Sequence, residues 1–191
     1  MIFYQKPISF IFIISIAFNS IAFSQKTVNV LRKDNFSYEV TCDITFLNNV
    51  SKELLDFCWN MENIKKMLAD EPVVIEYSTK GYQQTISYDY SFIFMRYFSQ
   101  YERKLKPSES KISFKLTKNE CSIPFIPNLQ NGYGEYIVKS NYKTTTVHYY
   151  QYIRCDGTLR DFYFNYIKKD IVKYFNTFEN EFLKTLKNAN R

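Results

Sequence analysis

Residues 158–187 read TLRDFYFNYIKKDIVKYFNTFENEFLKTLK and contain neither glycine nor proline. Apolar side chains recur at steps of three and four residues, which is the period of a helix with one wide apolar face. The pattern predicts a long amphipathic helix, and so many aromatic residues on one side need a large concave surface to cover them. The apolar stripe comprises Leu159, Phe162, Tyr163, Tyr166, Ile167, Ile171, Tyr174, Phe175, Phe178, Phe182 and Leu186.

The residues upstream of this helix are expected to supply that surface as a sheet. Apolar and polar side chains alternate with a period of two, which predicts strands. Two short helices, beginning at Ser51 and at Met61, separate the first strand from six others, and the short turns favour an antiparallel meander that curls as it twists. The expected fold is α+β: a seven-stranded antiparallel sheet, formed by one strand, two helices, six strands and one helix in chain order, wrapped around the long C-terminal helix. The strands are predicted at residues 36–46, 73–79, 82–94, 96–105, 111–117, 133–139 and 144–155.

Residues 1–24 are typical of a secretory signal peptide. Lys6 gives a weakly positive start, residues 8–18 form a short apolar run, and Ala22-Phe23-Ser24 has the small-x-small pattern of a cleavage site. Residues 25–191 then form a single exported domain, periplasmic or secreted. An uncleaved membrane anchor is the alternative, although polar residues shorten the apolar run below the roughly 18 residues that a span needs.

Charge and cysteine content limit the classes of partner. The formal net charge is +6, with scattered lysines and few arginines. Together with export, this argues against a nucleic-acid partner and leaves only transient attraction to an anionic membrane surface. The four cysteines are too irregularly spaced for a zinc framework. Cys121 and Cys155 each close a strand next to a turn and are the favoured disulfide, whereas Cys42 and Cys58 have apolar neighbours, as buried thiols do.

The element order and four stretches of sequence resemble the START-like superfamily, also called the Bet v 1-like or polyketide cyclase/lipid-transport group (SRPBCC). The stretches are residues 48–57, 59–68, 132–136 with 145–147, and 157–165, where members often carry an asparagine near Asn165. Arg160 departs from the family, whose members often have a proline after the helix entry. The resemblance implies a helix-grip fold with strand order 2-3-4-5-6-7-1. It also implies a cavity between sheet and helix, which in this family mostly holds apolar or amphipathic molecules such as lipids, sterols and polyketides.

The aromatic content suits such a cavity, because aromatic residues make up 19% of the chain and tyrosine combines apolar area with a polar tip. Arg103 alternates with Tyr97 and Tyr101, so one interpretation places it inward beside them, where a buried arginine would need a carboxylate or a ligand anion. A solvated or edge-paired Arg103 is the simpler alternative, as plain core packing is for each tyrosine. The predicted ligand-binding residues are Tyr88, Tyr90, Tyr101, Arg103, Tyr136, Tyr149, Tyr166 and Tyr174.

The remaining polar residues give little sign of catalysis. His148 is the only histidine and is expected on the outer face, with Val147, Tyr149 and Ile153 inward. Asp89, Glu102 and Asp170 are the acidic residues that would matter in a cavity. We predict no metal, no cofactor and no catalytic residue.

Three functions follow from these features. The first is a monomeric exported protein that binds an apolar or amphipathic, lipid-like molecule. The second is an enzyme of the cyclase or dehydratase kind that uses cavity tyrosines with Arg103 or Asp170 for proton transfer. The third is a protein that acts through its surface, which a cavity below roughly 300 Å³ would favour.

Overall fold

A computed structural model describes residues 24–92, 95–123, 128–155 and 160–189. The predicted order of elements is confirmed, and one strand precedes it. The elements are β1 Ser24–Arg32, β2 Ser37–Leu47, α1 Ser51–Trp59, α2 Met61–Met67, β3 Val73–Lys80, β4 Gln83–Phe92, β5 Met95–Lys106, β6 Lys111–Cys121, β7 Leu129–Ser140, β8 Thr144–Cys155 and α3 Arg160–Ala189.

The described strands form one antiparallel sheet of eight strands in the order β1-β2-β8-β7-β6-β5-β4-β3. From β2 onward this is the predicted order, so the helix-grip topology is confirmed. The predicted count of seven is corrected by β1, which pairs with β2 along its whole length. Only Val28 and Val30 of β1 pack against the core, and two apolar positions make an alternation too short to recognise in the sequence.

The C-terminal half of α3 closes a solid core against the sheet and α1. Phe178 and Phe182 are fully buried. The ring of Phe182 meets the Phe46 ring of β2 at a centroid distance of 4.9 Å and the Phe57 ring of α1 at 5.3 Å, both edge-on. Such pairs add to the apolar stabilisation of the rings themselves. The aromatic stripe of the helix is therefore what locks sheet and helices together.

Gly134 of β7 lies where the structure has no room for a larger side chain. A Cβ atom at this position would lie 2.2 Å from the carbonyl oxygen of Tyr150 and 2.5 Å from the ring of Phe114. Only glycine leaves room for both. A register shift in β5 between Gln100 and Tyr101 adds a local bend of the kind that curls a sheet.

The four cysteines form no disulfide, so the favoured Cys121–Cys155 pair is wrong. Cys121 ends β6 and Cys155 ends β8, with β7 lying between these two strands. Two strand spacings amount to about 9–10 Å, which exceeds the roughly 7 Å between Cα atoms that a disulfide spans. Cys42 and Cys58 are buried, as predicted.

The predicted signal peptide lies outside the described residues, except for Ser24, which begins β1. Across the described part of the chain, no helix combines the length and the apolar character needed to cross a membrane.

Candidate ligand cavity

The N-terminal half of α3 borders a cavity of about 600 Å³ that separates it from the concave face of the sheet. Ile167, Ile171, Tyr174 and Phe175 line it from the helix, and inward side chains of the strands line it from the sheet. The cavity falls within the size range of small-molecule sites. The apolar stripe of α3 therefore has two roles. From Phe178 onward it packs in the core, and from Ile167 to Phe175 it lines the cavity.

The structure places the predicted site residues together on the cavity wall. They meet because inward positions on adjacent antiparallel strands lie side by side, as Tyr136 and Tyr149 do in register. The side chain of Tyr166 lies outside the described residues. The residues that line the cavity as predicted are Tyr88, Tyr90, Tyr101, Arg103, Tyr136, Tyr149 and Tyr174.

The cavity tyrosines form one network of rings with their hydroxyl groups among them. The rings of Tyr136 and Tyr149 lie 4.8 Å apart and those of Tyr88 and Tyr101 6.0 Å apart. The hydroxyl groups of Tyr136 and Tyr174 lie 3.4 Å apart, joining sheet to helix. Burial raises the pKa of all five phenols. These hydroxyls are therefore neutral hydrogen-bond donors and acceptors at physiological pH.

Arg103 places a buried positive charge on the same wall, with only 4% of its surface exposed. Its Nη1 donates to Oε1 of Gln84 and to Sδ of Met61, both at 3.0 Å, and its Nη2 donates to the carbonyl oxygen of Cys58 at 2.5 Å. The guanidinium carbon lies 5.3 Å from the centre of the Trp59 ring. The inward position is confirmed, and the solvated or edge-paired alternative is wrong.

The exposed charges of the cavity lie at its mouth. Glu71, which follows α2, and Lys173 of α3 form an ion pair at 2.5 Å, and the hydrogen bond from Lys173 to Glu71 raises the pKa of the lysine. Asp170 lies one turn earlier on α3, and it too is exposed and lines the cavity. The cavity is therefore bordered by charges of both signs at its opening, whereas Arg103 is enclosed.

The other polar candidates face away from the cavity. Asp89 and Glu102 each pair with a basic residue of the neighbouring strand. His148 lies on the outer face, as predicted, with Nδ1 2.6 Å from Oδ1 of Asp43. Among the described residues, no three His, Cys, Asp or Glu side chains converge as the ligands of a metal ion would.

Three polar residues of the site escaped the sequence prediction: Gln84, Ser99 and Gln151. Gln84 binds Arg103, Ser99 is a small buried residue on the cavity wall, and Oε1 of Gln151 accepts a hydrogen bond from the Tyr149 hydroxyl at 2.6 Å. The strand period of two predicts that Gln151 faces inward, because it follows Tyr149 by two residues on β8. The sequence prediction missed these residues because it considered only the aromatic inward positions and Arg103.

No protein-family model matches the chain, and no curated protein matches its sequence significantly. Solved structures are similar to it in fold. A protein from Thermus thermophilus aligns with a TM-score of 0.61 and 11% identity, over 77% of this chain and 98% of that one. The Zhui aromatase/cyclase from a Streptomyces species aligns with a TM-score of 0.61 and 11% identity, over 81% and 96%.

Ara h 8.0201 aligns with a TM-score of 0.53 and 11% identity, over 76% of this chain and 99% of that one. At 11% sequence identity, these similarities show a shared fold and not a shared function. Together with the sheet order and the long helix that crosses the sheet, these structural similarities show that the chain has a helix-grip, Bet v 1-like fold.

Proposed function

We propose that the protein binds an apolar or amphipathic small molecule in the cavity between the sheet and α3 and releases it unchanged. The observation that carries the proposal is the cavity of about 600 Å³, which persists beside a core that is otherwise filled by interlocking aromatic rings. A space of this size costs packing energy, and a ligand that filled it would recover that energy. The volume also exceeds the roughly 300 Å³ below which a purely surface-based function would be favoured.

The chemistry of the wall supports a ligand with both apolar and polar parts. Ile86, Phe114 and Ile171 offer apolar contact. The hydroxyls of Tyr136 and Tyr174 offer hydrogen bonds without a net charge, because burial raises the pKa of both phenols. A wall of this kind orients an amphipathic molecule by a few polar contacts and holds it by apolar area.

A cyclase or dehydratase is the second candidate, and the similarity of the fold to an aromatase/cyclase favours it. Proton transfer at neutral pH needs a group whose pKa lies near neutrality. Burial raises the pKa of the cavity tyrosines further above neutrality. Asp170 is exposed at the mouth of the cavity and is not enclosed by it. These observations support binding over catalysis.

We also propose that the protein acts after export, with residues 1–24 removed as a signal peptide. The support is the composition of that segment and the pairing of Gln25 and the residues after it with β2, since cleavage after Ser24 would remove only one residue of the described sheet. The intact mass of the protein isolated from the producing organism tests this proposal. A mature form that begins at Gln25 is expected, and a chain that retains residue 1 would contradict export by cleavage.

Native mass spectrometry of the protein purified from its source tests the binding function. We expect a reproducible added mass that is lost on denaturation and identified as an apolar or amphipathic metabolite. If incubation with a lipid extract adds nothing to an unliganded protein, the binding proposal is wrong. If the released molecule differs chemically from the one supplied, the cyclase candidate is favoured instead.

A pair of matched variants locates the bound molecule. Ser99→Phe enlarges a buried residue that lines the cavity and should abolish the added mass. Ser91→Phe makes the same change on the exposed face of the neighbouring strand β4 and should leave it in place. Equal retention in both variants would mean that the ligand sits elsewhere.

A further inference from the structure

Arg103 holds a positive charge in the cavity wall that only neutral groups contact. Its partners are an amide oxygen, a thioether sulfur and a backbone carbonyl, from Gln84, Met61 and Cys58. The ion pairs of the described residues include none with Arg103, so no carboxylate among them lies within salt-bridge distance of the guanidinium. A buried charge without an opposite charge is costly, and in proteins such charges are paired.

The protein offsets part of this cost by itself. The carbonyl of Cys58 belongs to the C-terminal end of α1, where the helix dipole is negative, and no basic residue of α1 lies there. The Trp59 ring adds a cation–π contact. These groups attract the guanidinium but carry no net charge, so the enclosed charge of Arg103 remains uncompensated.

The guanidinium also has donors left over. Of its five N–H groups, Nη1 uses two and Nη2 uses one. The remaining two, on Nε and Nη2, have no acceptor among the described residues. One hydroxyl proton of the Tyr136–Tyr174 pair is likewise unused, because only one proton can lie between two oxygens. Arg103 lowers the pKa of Tyr136 and Tyr174, although burial outweighs this effect, so the phenols lie in its field and stay protonated.

We propose that the cavity selects an amphipathic acid, with a single anionic head, carboxylate or phosphate, bound by Arg103 and an apolar tail along the tyrosine wall. The inference rests on the proposed binding function and adds the charge of the ligand. The other charges of the cavity, Glu71, Asp170 and Lys173, lie at its partly or fully exposed mouth, where water screens them. An anion inside the cavity would therefore be recognised chiefly by Arg103.

Trp59 provides a direct readout of binding at this position. It is the only tryptophan in the chain, and its ring lies against Arg103. A head group that arrives at the guanidinium should change the fluorescence of Trp59, so titrations can be followed without a label.

The experiment compares dodecanoate with dodecanol, which share a tail and differ in the charge of the head. We expect dodecanoate to bind at least about tenfold more tightly, the factor that one hydrogen bond to a charged group supplies. Equal affinity, or a preference for the alcohol, would overturn the inference while leaving the binding function intact. If neither molecule binds, the binding function fails for single-chain amphiphiles, and the inference fails with it.

Two further probes separate the possible heads. Dodecyl phosphate tests a phosphate on the same tail, and acetate and inorganic phosphate test the head without a tail. Tighter binding of one tailed anion identifies the head, and both should exceed dodecanol. Binding of the small anions as tight as that of the tailed ones would contradict an amphipathic ligand.

Variants assign the preference to Arg103. Arg103→Met should erase the preference for dodecanoate over dodecanol, and Arg103→Lys should retain a reduced preference because it keeps the charge but loses the planar fork. Arg96→Met is the matched control, because Arg96 is an exposed arginine of the same strand that pairs with Asp89. This variant should keep the full preference for dodecanoate. Circular dichroism establishes that each variant is folded. If folded Arg103→Met still prefers dodecanoate, Arg103 is not the residue that binds the head group. If Arg103→Met does not fold, the comparison of dodecanoate with dodecanol in the unaltered protein tests the inference.

Discussion

At the scale of single residues, Gly134 has less room for a side chain than the other described glycines. Its neighbours are a backbone oxygen of β8 and a ring of β6, and the backbone oxygen cannot move without breaking the ladder. We expect Gly134→Ala to lower the free energy of unfolding by about 3 kcal/mol or more, as measured by urea denaturation.

Gly132→Ala, two residues away, is the matched control. A Cβ atom there would lie 3.6 Å from Leu116 and 3.9 Å from Tyr101, which are ordinary contacts. Its effect should stay within about 1 kcal/mol. Equal losses in the two variants would show that the strand, rather than the contact at Gly134, is sensitive.

The four thiols should differ sharply in reactivity. Burial raises the pKa of Cys42 and of Cys58 to about 12, so neither forms a reactive thiolate at pH 8. Cys155 is buried, and only Cys121 is half-buried. With Ellman's reagent at pH 8, one thiol per folded chain should react quickly and all four in guanidinium. Two or more fast thiols would contradict the burial.

At the scale of elements, α3 divides into a structural half and a cavity half. Phe182→Ala should cost about 3–5 kcal/mol, since the residue is fully buried between two other rings. Ile171→Ala should cost only about 1 kcal/mol, because Ile171 is half-buried and borders open space, but it should weaken ligand binding. Urea denaturation and ligand titration measure the two effects, and similar stability losses would show that the helix packs uniformly.

The sequence predicted the elements whose apolar residues recur with a regular period. It did not predict an element that lacks such a period. The bounds of β2 and β8 and the beginning of α1 fall within a residue of prediction, because the apolar positions of these elements are numerous and buried. β1 was not predicted, because distant contacts hold it rather than an apolar pattern of its own. It pairs with β2, and Nζ of Lys26 lies 2.6 Å from Glu179 of α3. Contacts between residues far apart in sequence leave no mark on a local pattern.

At the scale of the whole molecule, a ligand that binds only the folded state should raise the melting temperature. At a free concentration of a hundred times Kd, the gain is about 2.7 kcal/mol, which for a domain of this size is roughly 5–10 °C. We expect such a shift with dodecanoate and none in Ser99→Phe, measured by differential scanning calorimetry. An equal shift in both proteins would place the binding outside the cavity.

The cavity was foreseen in its location and in the tyrosines that line it, but not in its polar detail. Tyr88, Tyr101 and Tyr149 lie on predicted inward positions, so a correct strand period was enough to gather them. The surroundings of Arg103 could not be read in the same way. Its partners come from α1, α2 and β4, and their meeting depends on how helices settle on the sheet, which no single period encodes.

The ladder between β2 and β8 has a consequence for how the chain folds. Asp43 and His148, which lie opposite each other in it, are 105 residues apart in sequence, and α3, which fills the core, comes last of all. A pairing between residues so far apart forms slowly, because loop closure must precede the contacts that reward it. During synthesis, most of the chain must leave the ribosome before this ladder can form, because β8 ends at Cys155. A nascent chain of this design therefore cannot join its first strands to the rest of the sheet until residues 144–155 have been synthesised.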